Sequence, residues 1–375
     1  FFYVKVERGG NLGKLYCRSL PAGKEELLFD PEAYGKGTEL INFVVDDPGN
    51  KIAMSLSKDG AEVCEIRILD VKTKKLLTDS IEPVWSEFSF EFTQNSNAVL
   101  YTKMNSTDNS SDDLLKNMKV CLHTIGTKSE NDRVIVSREH NTELGILPEQ
   151  FPAVTFSDDK KYIFLDIGSV KNEKLVYYAP GSEISRAKID WKPLIKFDDE
   201  ITGYCSIGNQ LFFLSHKNAP NFKIGVTDLQ NPDFENAKII VPESKEVIRS
   251  IQKTKSYIFY SLSNGINQYK YQINPTGFII KKLPLPEGIN GSALFNPGQN
   301  DRLIVYNNSW LSPYTLYEYD AIKSTVVNTI GWSYALLFNR LRRVWDFNST
   351  QLYCFNGSIP GTGLLYCLCS RKGWR

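Results

Sequence analysis

The sequence lacks the cysteine pairs that build zinc ribbons and redox motifs. Its 375 residues include seven cysteines, and no two of them have the Cys-x-x-Cys spacing that such sites require. Cys17, Cys64 and Cys121 lie within apolar runs, where buried free thiols are expected. This usage favours a reducing compartment, so we expect a cytoplasmic protein, or a periplasmic one if a leader has been removed.

An excess of charge of either sign is also missing. Lysine and arginine total 44 and the acidic residues 43, so bulk charge gives no attraction to nucleic acid or to an anionic membrane. No uninterrupted apolar run approaches the roughly 18 residues that span a bilayer as a helix. We therefore predict neither a nucleic-acid partner nor a membrane partner.

Motifs for catalysis and for metal or phosphate binding are absent from the sequence. The segments Gly203–Gly208 and Gly357–Gly361 have the wrong spacing for the Gly-x-Ser-x-Gly turn of a serine hydrolase. Neither His-Glu-x-x-His nor Gly-x-x-x-x-Gly-Lys occurs. The three histidines, His123, His140 and His216, are each expected to be satisfied at the surface or rim, not to act as general bases. We predict no catalytic residue, no metal ligand and no cofactor site in this chain.

Three pairs of adjacent aspartates are the remaining candidates for acid–base chemistry. They are Asp112–Asp113, Asp158–Asp159 and Asp198–Asp199. Neighbouring residues of a strand point to opposite faces, so such pairs do not converge on one substrate. We predict that all three pairs lie in solvated turns.

The sequence is rich in aromatic residues, at 12%, and in short apolar runs that recur along the chain. The runs are FFYVKV from Phe1, KIAMSLS from Lys51, AVLYTK from Ala98, YIFLDI from Tyr162, LFFLSH from Leu211, YIFYSL from Tyr257 and LIVYNN from Leu303. With Ile52 as the second start, the steps between them are 51, 46, 64, 49, 46 and 46 residues. The one long step contains a polar insertion, Met104 to Asn117.

Each run is followed by a turn-rich segment and a second strand-like run. These partners begin at Gly13, Cys64, Met118, Glu173, Phe222, Ile266 and Tyr314. Further short runs between the pairs, such as 22–30 and 236–244, complete units of four strands. Seven units of about 46 residues predict an all-β protein, a seven-bladed β-propeller of four-stranded antiparallel blades. A β-sandwich is the alternative, but sandwich strands do not recur at so long and even an interval.

Several segments resemble the propeller domain of the prolyl oligopeptidase family of serine peptidases. They are NLGKLYCRSLPAGKEELLFDPEA from Asn11, DDPGNKIAMSLSKDGAEVCEIRILDVKTKKLLTDSI from Asp46, FSDDKKYIFLDI from Phe156, APNFKIGVTDLQNPDFENAKIIVPESKEVI from Ala219 and SWLSPYTLYEYD from Ser309. The motifs Pro-Asn-Phe at 220–222 and Trp-Leu-Ser-Pro at 310–313 are the most specific for this family. The resemblance runs from Phe1 to about Asp320. We therefore expect a propeller at 1–327, its first blade incomplete at the N-terminus.

The resemblance implies a function that this chain does not perform alone. In the family, an α/β-hydrolase domain with a Ser, Asp, His triad cleaves short proline-containing peptides, and the propeller covers the active site and excludes folded proteins. The expected partners are thus a hydrolase domain in cis and short peptides. The alternative is a stand-alone propeller that binds a peptide or protein, since one fold hosts many functions.

The last segment, 328–375, departs from the repeat. It contains three cysteines and one Trp345-Asp346 pair, which is weak evidence for a WD40 repeat outside the repeating region. Suitable synonymous codons can be chosen for residues 338–359 and 363–371. If these codons are read one base later, they encode sequences that resemble the opening strands of the family's hydrolase domain. The segment is therefore interpreted as a frameshifted remnant of that domain, irregular in structure. A genuine short extension is the alternative.

Overall fold

The structure is a computed structural model that describes residues 2–7, 10–18, 24–85, 90–108, 111–285, 291–295, 300–308, 315–330, 352–353 and 368–369. These residues form β-strands with very little helix. The one α-helix, α1, is the single turn Pro31–Tyr34, which begins after the N-cap Asp30 and has proline at its first position. None of the helices in the described part of the chain has the length and hydropathy of a membrane span.

The strands form consecutive antiparallel sets. The first set is β1 Phe2–Val6, β2 Gly13–Cys17 and β3 Glu26–Phe29. The second is β4 Thr38–Val45, β5 Lys51–Lys58, β6 Val63–Asp70 and β7 Lys75–Trp85. The third is β8 Glu91–Phe92, β9 Ala98–Lys103, β10 Lys119–Thr124 and β11 Arg133–Val136. The second and third sets are joined by a single residue pair, Val84 of β7 with Lys103 of β9.

The remaining sets each contain four strands in sequential order. The fourth is β12 Phe151–Phe156, β13 Tyr162–Gly168, β14 Val176–Pro180 and β15 Lys192–Ile195. The fifth is β16 Ile201–Ile207, β17 Gln210–Ser215, β18 Lys223–Asp228 and β19 Lys238–Val241. The sixth is β20 Val247–Lys253, β21 Ile258–Ser263, β22 Gln268–Asn274 and β23 Ile279–Lys282.

The seventh set is β24 Gly291–Phe295, β25 Arg302–Asn308, β26 Thr315–Asp320 and β27 Thr325–Ile330. Two short strands, β28 Leu352–Tyr353 and β29 Leu368–Cys369, pair with each other. Short 3₁₀ segments lie at Ser129–Asn131, Thr142–Leu144, Gly181–Ser185 and Phe197–Asp199. Apart from 328–330, 352–353 and 368–369, the segment 328–375 lies outside the described residues, and the frameshift interpretation of 338–359 and 363–371 stays a prediction.

Every recurring apolar run of the sequence is a strand that pairs with the partner predicted for it. The runs are β1, β5, β9, β13, β17, β21 and β25, and the partners are β2, β6, β10, β14, β18, β22 and β26. The alternation of β6, in which every second side chain from Cys64 to Ile68 is buried, follows from the two-residue period of a strand. The all-β class and the four-stranded antiparallel sheets are confirmed. The arrangement of seven blades around one axis stays a prediction.

Backbone contacts divide the chain into two compact units, Phe1–Ser169 with Tyr178–Trp191, and Val170–Tyr177 with Lys192–Asn339. In the first unit, one apolar cluster joins the first two sets through residues such as Leu15, Phe43 and Met54. A second cluster fills the space between the second and third sets. Each set therefore covers one face with the side chains of its neighbour, which is how stacked repeats bury a core.

The second unit has two apolar clusters of its own. One joins the fifth and sixth sets and includes Phe212, Ile224 and Ile258. The other lies between the sixth and seventh sets, where the rings of Phe259 and Tyr319 meet edge to face. The tight packing of β18 on β17 requires glycine at position 225, since a Cβ there would lie 2.3 Å from the ring of Phe213.

The polar insertion between β9 and β10 is held by its two ends. Met104 and Met118 are both buried and pack together with the partly buried Leu114. Unbranched methionine side chains fill such irregular gaps well. The long step in the repeat is therefore an excursion of the loop that leaves the pairing of β9 with β10 intact.

Candidate functional site

The three histidines lie at separate places. His123 is on β10 and fully buried, and His140 is exposed in the turn after β11. His216 follows β17 in the second unit and is partly exposed. The prediction that His123 lies at the surface or rim was wrong. Strand alternation places its ring between the second and third sets, where two carboxylates satisfy it.

His123 is the centre of a buried polar cluster. Its Nδ1 lies 2.7 Å from Asp132 Oδ1 and its Nε2 lies 2.9 Å from Asp79 Oδ1. The hydroxyl of Tyr101 donates to Asp132 Oδ2 at 2.8 Å, and the backbone N–H of Gly126 donates to Asp79 Oδ1 at 2.5 Å. Both carboxylate side chains are almost fully buried. The cluster thus joins β7 of the second set to β9, β10 and the start of β11 in the third.

Electrostatics bind this cluster together. Burial is the largest single influence on His123 and opposes its charge, but the hydrogen bonds and charges of Asp132 and Asp79 outweigh it, so that its pKa is raised. Burial also raises the pKa of Tyr101 far above its ordinary value. The Oδ2 atom of Asp79 is buried without a hydrogen-bond partner in the described part of the chain. An oxygen in this position adds to the negative potential around the ring.

His216 has a similar pair of partners but a different environment. Its Nε2 lies 3.0 Å from Glu173 Oε1 and its Nδ1 lies 3.2 Å from Glu200 Oε2. Its ring also meets the edge of Phe222. A backbone hydrogen bond lowers the pKa of Glu173 most, and the hydrogen bond with His216 lowers it further. Both ring nitrogens of His123 and of His216 face carboxylates, so neither ring presents a nitrogen to a serine hydroxyl as a general base would.

The acidic pairs lie in turns and short connections. Asp159 lies between β12 and β13 and accepts hydrogen bonds from the hydroxyl of Ser157 and the N–H of Lys161. Asp198 and Asp199 belong to the 3₁₀ segment before β16, where Asp199 accepts from the N–H of Lys196. Asp113 is exposed and pairs with Lys116. Asp159 and Asp199 thus accept hydrogen bonds from nearby backbone N–H groups, as Asp commonly does in turns.

Sequence reasoning missed a buried lysine in the second unit. Lys270 is on β22, opposite Ser261 of β21, and it is 5% exposed. Burial alone lowers the pKa of its amine to about 8. Beside it, the hydroxyls of Ser261 and Ser250 are 2.6 Å apart. The run QYKYQ carries no signal for this burial, because a lysine that alternates with two tyrosines is expected on the exposed face of the strand.

Four cysteines, Cys17, Cys64, Cys121 and Cys205, are free thiols. Cys64 and Cys121 are buried, as predicted, and burial raises the pKa of Cys64 to about 12 and that of Cys121 to about 11. Cys17 is only partly buried, which corrects the prediction for that residue. Its position near the end of the edge hairpin β1–β2 leaves its sulfur 3.9 Å from Glu26. These raised values make the thiols poor nucleophiles.

Exposed apolar side chains mark the loops between strands. In the first unit, Leu115 lies in the insertion before β10 and Leu147 lies between β11 and β12. In the second unit, Val170 precedes β14 and Ile266 lies between β21 and β22. Val170 is fully exposed and Ile266 is 74% exposed. Apolar side chains at loop tips are candidates for contact with a partner.

Comparison with known proteins agrees with this architecture. The family model of the prolyl oligopeptidase N-terminal β-propeller domain matches residues 1–328. A prolyl endopeptidase of Elizabethkingia meningoseptica is 26% identical over 329 residues, covering 85% of this chain and 44% of the relative. A prolyl endopeptidase of Elizabethkingia miricola is 26% identical over 337 residues, covering 87% and 45%. The chain spans less than half the length of these relatives.

Solved structures show the same fold. A structure from a structural and mechanistic analysis of two prolyl endopeptidases has a TM-score of 0.75 and 21% identity, with 88% of this chain and 47% of that chain covered. Prolyl oligopeptidase B of Galerina marginata, bound to a 25mer macrocyclization substrate, has a TM-score of 0.72 and 17% identity, with 88% and 48% covered. With the family model matching most of its length, the chain belongs to the prolyl oligopeptidase family, of which it carries the N-terminal β-propeller domain.

Proposed function

We propose that this chain is the gating part of a prolyl oligopeptidase-like serine endopeptidase. In this role it admits short proline-containing peptides to an α/β-hydrolase domain and excludes larger substrates. The proposal is carried by one observation: the propeller-domain match over residues 1–328 aligns with less than half of each prolyl endopeptidase relative. The chemistry then belongs to a hydrolase domain, and substrate selection belongs to the propeller.

The geometry of the histidines supports this division of labour. His123 and His216 have both ring nitrogens engaged by carboxylates, and His140 is exposed in a turn. A triad requires a histidine with one nitrogen on a nucleophilic hydroxyl and the other on a carboxylate. The described histidines are therefore structural, which fits a domain that shapes access to a site built elsewhere.

The exposed loop residues supply a surface for the hydrolase domain. Val170 and Ile266 lie on loops of the second unit that join the second strand of a set to its third. The free energy gained by covering such side chains is about 25 cal/mol per Å² of apolar surface. A partner domain that buries several of them gains enough to dock against this side of the sheets.

The test uses the purified chain together with the separately produced hydrolase half of the Elizabethkingia meningoseptica enzyme. We expect the chain alone to cleave neither a short chromogenic proline peptide nor an unfolded full-length protein. Added to the hydrolase half, it should lower the rate on the unfolded protein by about tenfold or more relative to the rate on the short peptide. An equal effect on both substrates, or no complex between the halves, would contradict gating. Binding of a peptide by the chain without any hydrolase would favour the stand-alone binding module instead.

A further inference from the structure

The cluster around His123 contains a proton that its geometry requires. A neutral imidazole has one N–H and one bare nitrogen, and an ionised carboxylate offers only acceptors. Both ring nitrogens of His123 lie within hydrogen-bonding distance of a carboxylate oxygen, Asp132 Oδ1 on one side and Asp79 Oδ1 on the other. A neutral ring would donate a hydrogen bond to one carboxylate only. At the other contact, the lone pair of the bare ring nitrogen would face a lone pair of the carboxylate oxygen. The arrangement is therefore stable only with an additional proton.

The surrounding donors place that proton on the imidazole. The hydroxyl of Tyr101 donates to Asp132, and the N–H of Gly126 donates to Asp79. Hydrogen bonds accepted by a carboxylate favour its ionised form. With both carboxylates receiving additional donors, the ring is the group that carries the proton, as an imidazolium between two anions.

Four other titratable groups face the ring. They are Asp79 from β7, Tyr101 from β9, Cys121 from β10 and Asp132 from the turn before β11. Burial raises the pKa of the Cys121 thiol to about 11, and it raises the pKa of Tyr101 far above the ordinary value. The thiol of Cys121 and the hydroxyl of Tyr101 therefore keep their protons in the folded chain while the imidazolium of His123, whose pKa is raised above its ordinary value, loses one.

The cluster lies where the second and third sets are otherwise joined by side-chain packing. Their one backbone pair, Val84 with Lys103, is at the last residue of β9. Asp79 is five residues before Val84 along β7, or about 17 Å at the rise of a strand. The contacts of His123 therefore join the second and third sets at one end of their junction, and the Val84–Lys103 pair joins them at the other end. The apolar cluster lies between these two contacts.

We propose that His123 is a proton-dependent latch, which holds the β4–β7 set against the β8–β11 set as an imidazolium clamped between Asp79 and Asp132. When the proton leaves for a solvent base, a ring nitrogen with a lone pair faces a buried carboxylate. The contact to one aspartate is then lost, and this end of the junction opens. The inference is independent of the gating function.

The sign of the pH dependence follows from the direction of the pKa shift. The pKa of His123 in the folded chain is raised above the ordinary 6.5. Its contribution to stability is therefore fully present below pH 6.5 and is lost as the pH rises through the folded pKa. A single proton changes the folding equilibrium by at most about tenfold per pH unit. Lys270 makes the free energy of unfolding rise with pH, which is the opposite sign. The unfolding measurements are therefore made on proteins that also carry Lys270→Met.

Histidine-selective ¹⁵N NMR of the full chain tests the protonation state directly. The chain has only three histidines, so the signals are assigned by comparing spectra of His140→Gln and His216→Gln variants. We expect both ring nitrogens of His123 to carry protons at pH 7 and to lose one on alkaline titration. One bare nitrogen at pH 7 in the folded protein would overturn the proposal.

Urea unfolding across pH 6 to 10, with hydrogen exchange, tests the latch. In Asp132→Asn, the amide N–H takes the place of Oδ1 and donates to a neutral Nδ1, and the amide oxygen takes the place of Oδ2 and still accepts from the hydroxyl of Tyr101. No extra proton is then needed.

The buried thiols of Cys64 and Cys121 also reduce stability at alkaline pH, in the parent and the variants alike. We therefore expect Asp132→Asn to show a smaller alkaline fall in stability than the parent, whereas His216→Gln, which removes the partly exposed histidine with two carboxylate partners, keeps the parent's fall. Amides of the β10–β11 hairpin should become less protected as pH rises, while those near Val84 and Lys103 do not. A fall as large in Asp132→Asn as in the parent contradicts the latch. If that variant does not fold, the exchange pattern of the parent protein decides.

Discussion

Lys270 and His123 are buried ionisable residues with opposite consequences for stability. His123 is compensated by two carboxylates, and its charged form is favoured. Lys270 is shifted by burial alone, and its charged form is disfavoured. A buried charge with compensation strengthens a junction, whereas one without it weakens the sheet that contains it.

Replacing Lys270 with methionine should stabilise the chain. The pKa of the amine falls from 10.5 to about 8 on folding, so its burial costs about 3 kcal/mol at neutral pH, and methionine keeps the volume without the charge. We expect Lys270→Met to increase the free energy of unfolding by about 1–3 kcal/mol at pH 7. The stability of the parent relative to the variant should rise between pH 8 and 10.5, because the unfolded chain binds the Lys270 proton more tightly than the folded chain does.

Urea titrations of the two proteins at pH 7 and pH 10 measure this effect. Lys281→Met is the matched control, because Lys281 lies on the neighbouring strand β23 and is exposed. It should change stability by less than about 0.5 kcal/mol. A destabilised Lys270→Met at both pH values would show that the amine makes a favourable interaction in the folded state.

At the scale of elements, the strands are held to their neighbours by side chains that reach from one set to the next. Glu91 of β8 accepts a hydrogen bond at 3.0 Å from the N–H of Phe156 at the end of β12, and it also pairs with Lys160. The Lys160 ammonium lies 4.7 Å from the centre of the Phe156 ring. One carboxylate thus satisfies a backbone donor and a mostly buried cation of the next set.

Removing this carboxylate should loosen the junction between the third and fourth sets. Glu91→Ala leaves the Phe156 N–H and the Lys160 ammonium, whose side chain is 11% exposed, without their acceptor. We expect a loss of about 1–3 kcal/mol in the free energy of unfolding, measured by urea titration. Glu91→Gln, which retains an acceptor, should lose less.

The exposed pair Lys161–Asp159, at 72% and 43% side-chain exposure, is the matched control. Exposed ion pairs contribute little to stability, so Lys161→Ala should change the free energy of unfolding by less than about 0.5 kcal/mol. Equal losses for Glu91→Ala and Lys161→Ala would show that burial of the Glu91 contact does not matter for the junction.

At the scale of the whole molecule, the loop residues should make the purified chain self-associate. Val170 and Ile266 are exposed apolar side chains that we assign to the face for the hydrolase domain. With that domain absent, these side chains are free to meet another copy. We expect light scattering to show association that increases with concentration, and Val170→Asp with Ile266→Asp to reduce it.

Ile322, 69% exposed in the hairpin between β26 and β27, provides the control. The Ile322 hairpin joins the third strand of its set to the fourth, whereas the Ile266 loop joins the second strand of its set to the third. In an antiparallel set, these two connections lie at opposite ends of the strands. Ile322→Asp should therefore leave the association unchanged. A stable monomer at high concentration, or an equal effect of Ile322→Asp, would count against the assigned face.

The sequence by itself determined the strands and their pairing. Near-continuous apolar runs such as β5, β17 and β21, which are buried on both faces, mark the central strands, and the turns between them bring each run beside its partner. The even spacing of these hairpins was sufficient to predict the all-β class, and the sequence motifs within them were sufficient to predict the family. These features are local, and local patterns can be read from one chain.

Only the tertiary structure decided which polar groups meet across the sets. Asp79 and His123 are 44 residues apart, and nothing in the spacing of their strands distinguishes this aspartate from the other acidic residues of the chain. The same holds for the burial of Lys270, which depends on the packing of the sixth set against the seventh. Contacts between repeats depend on how whole sheets stack, and that packing brings together residues whose separation in sequence carries no signal.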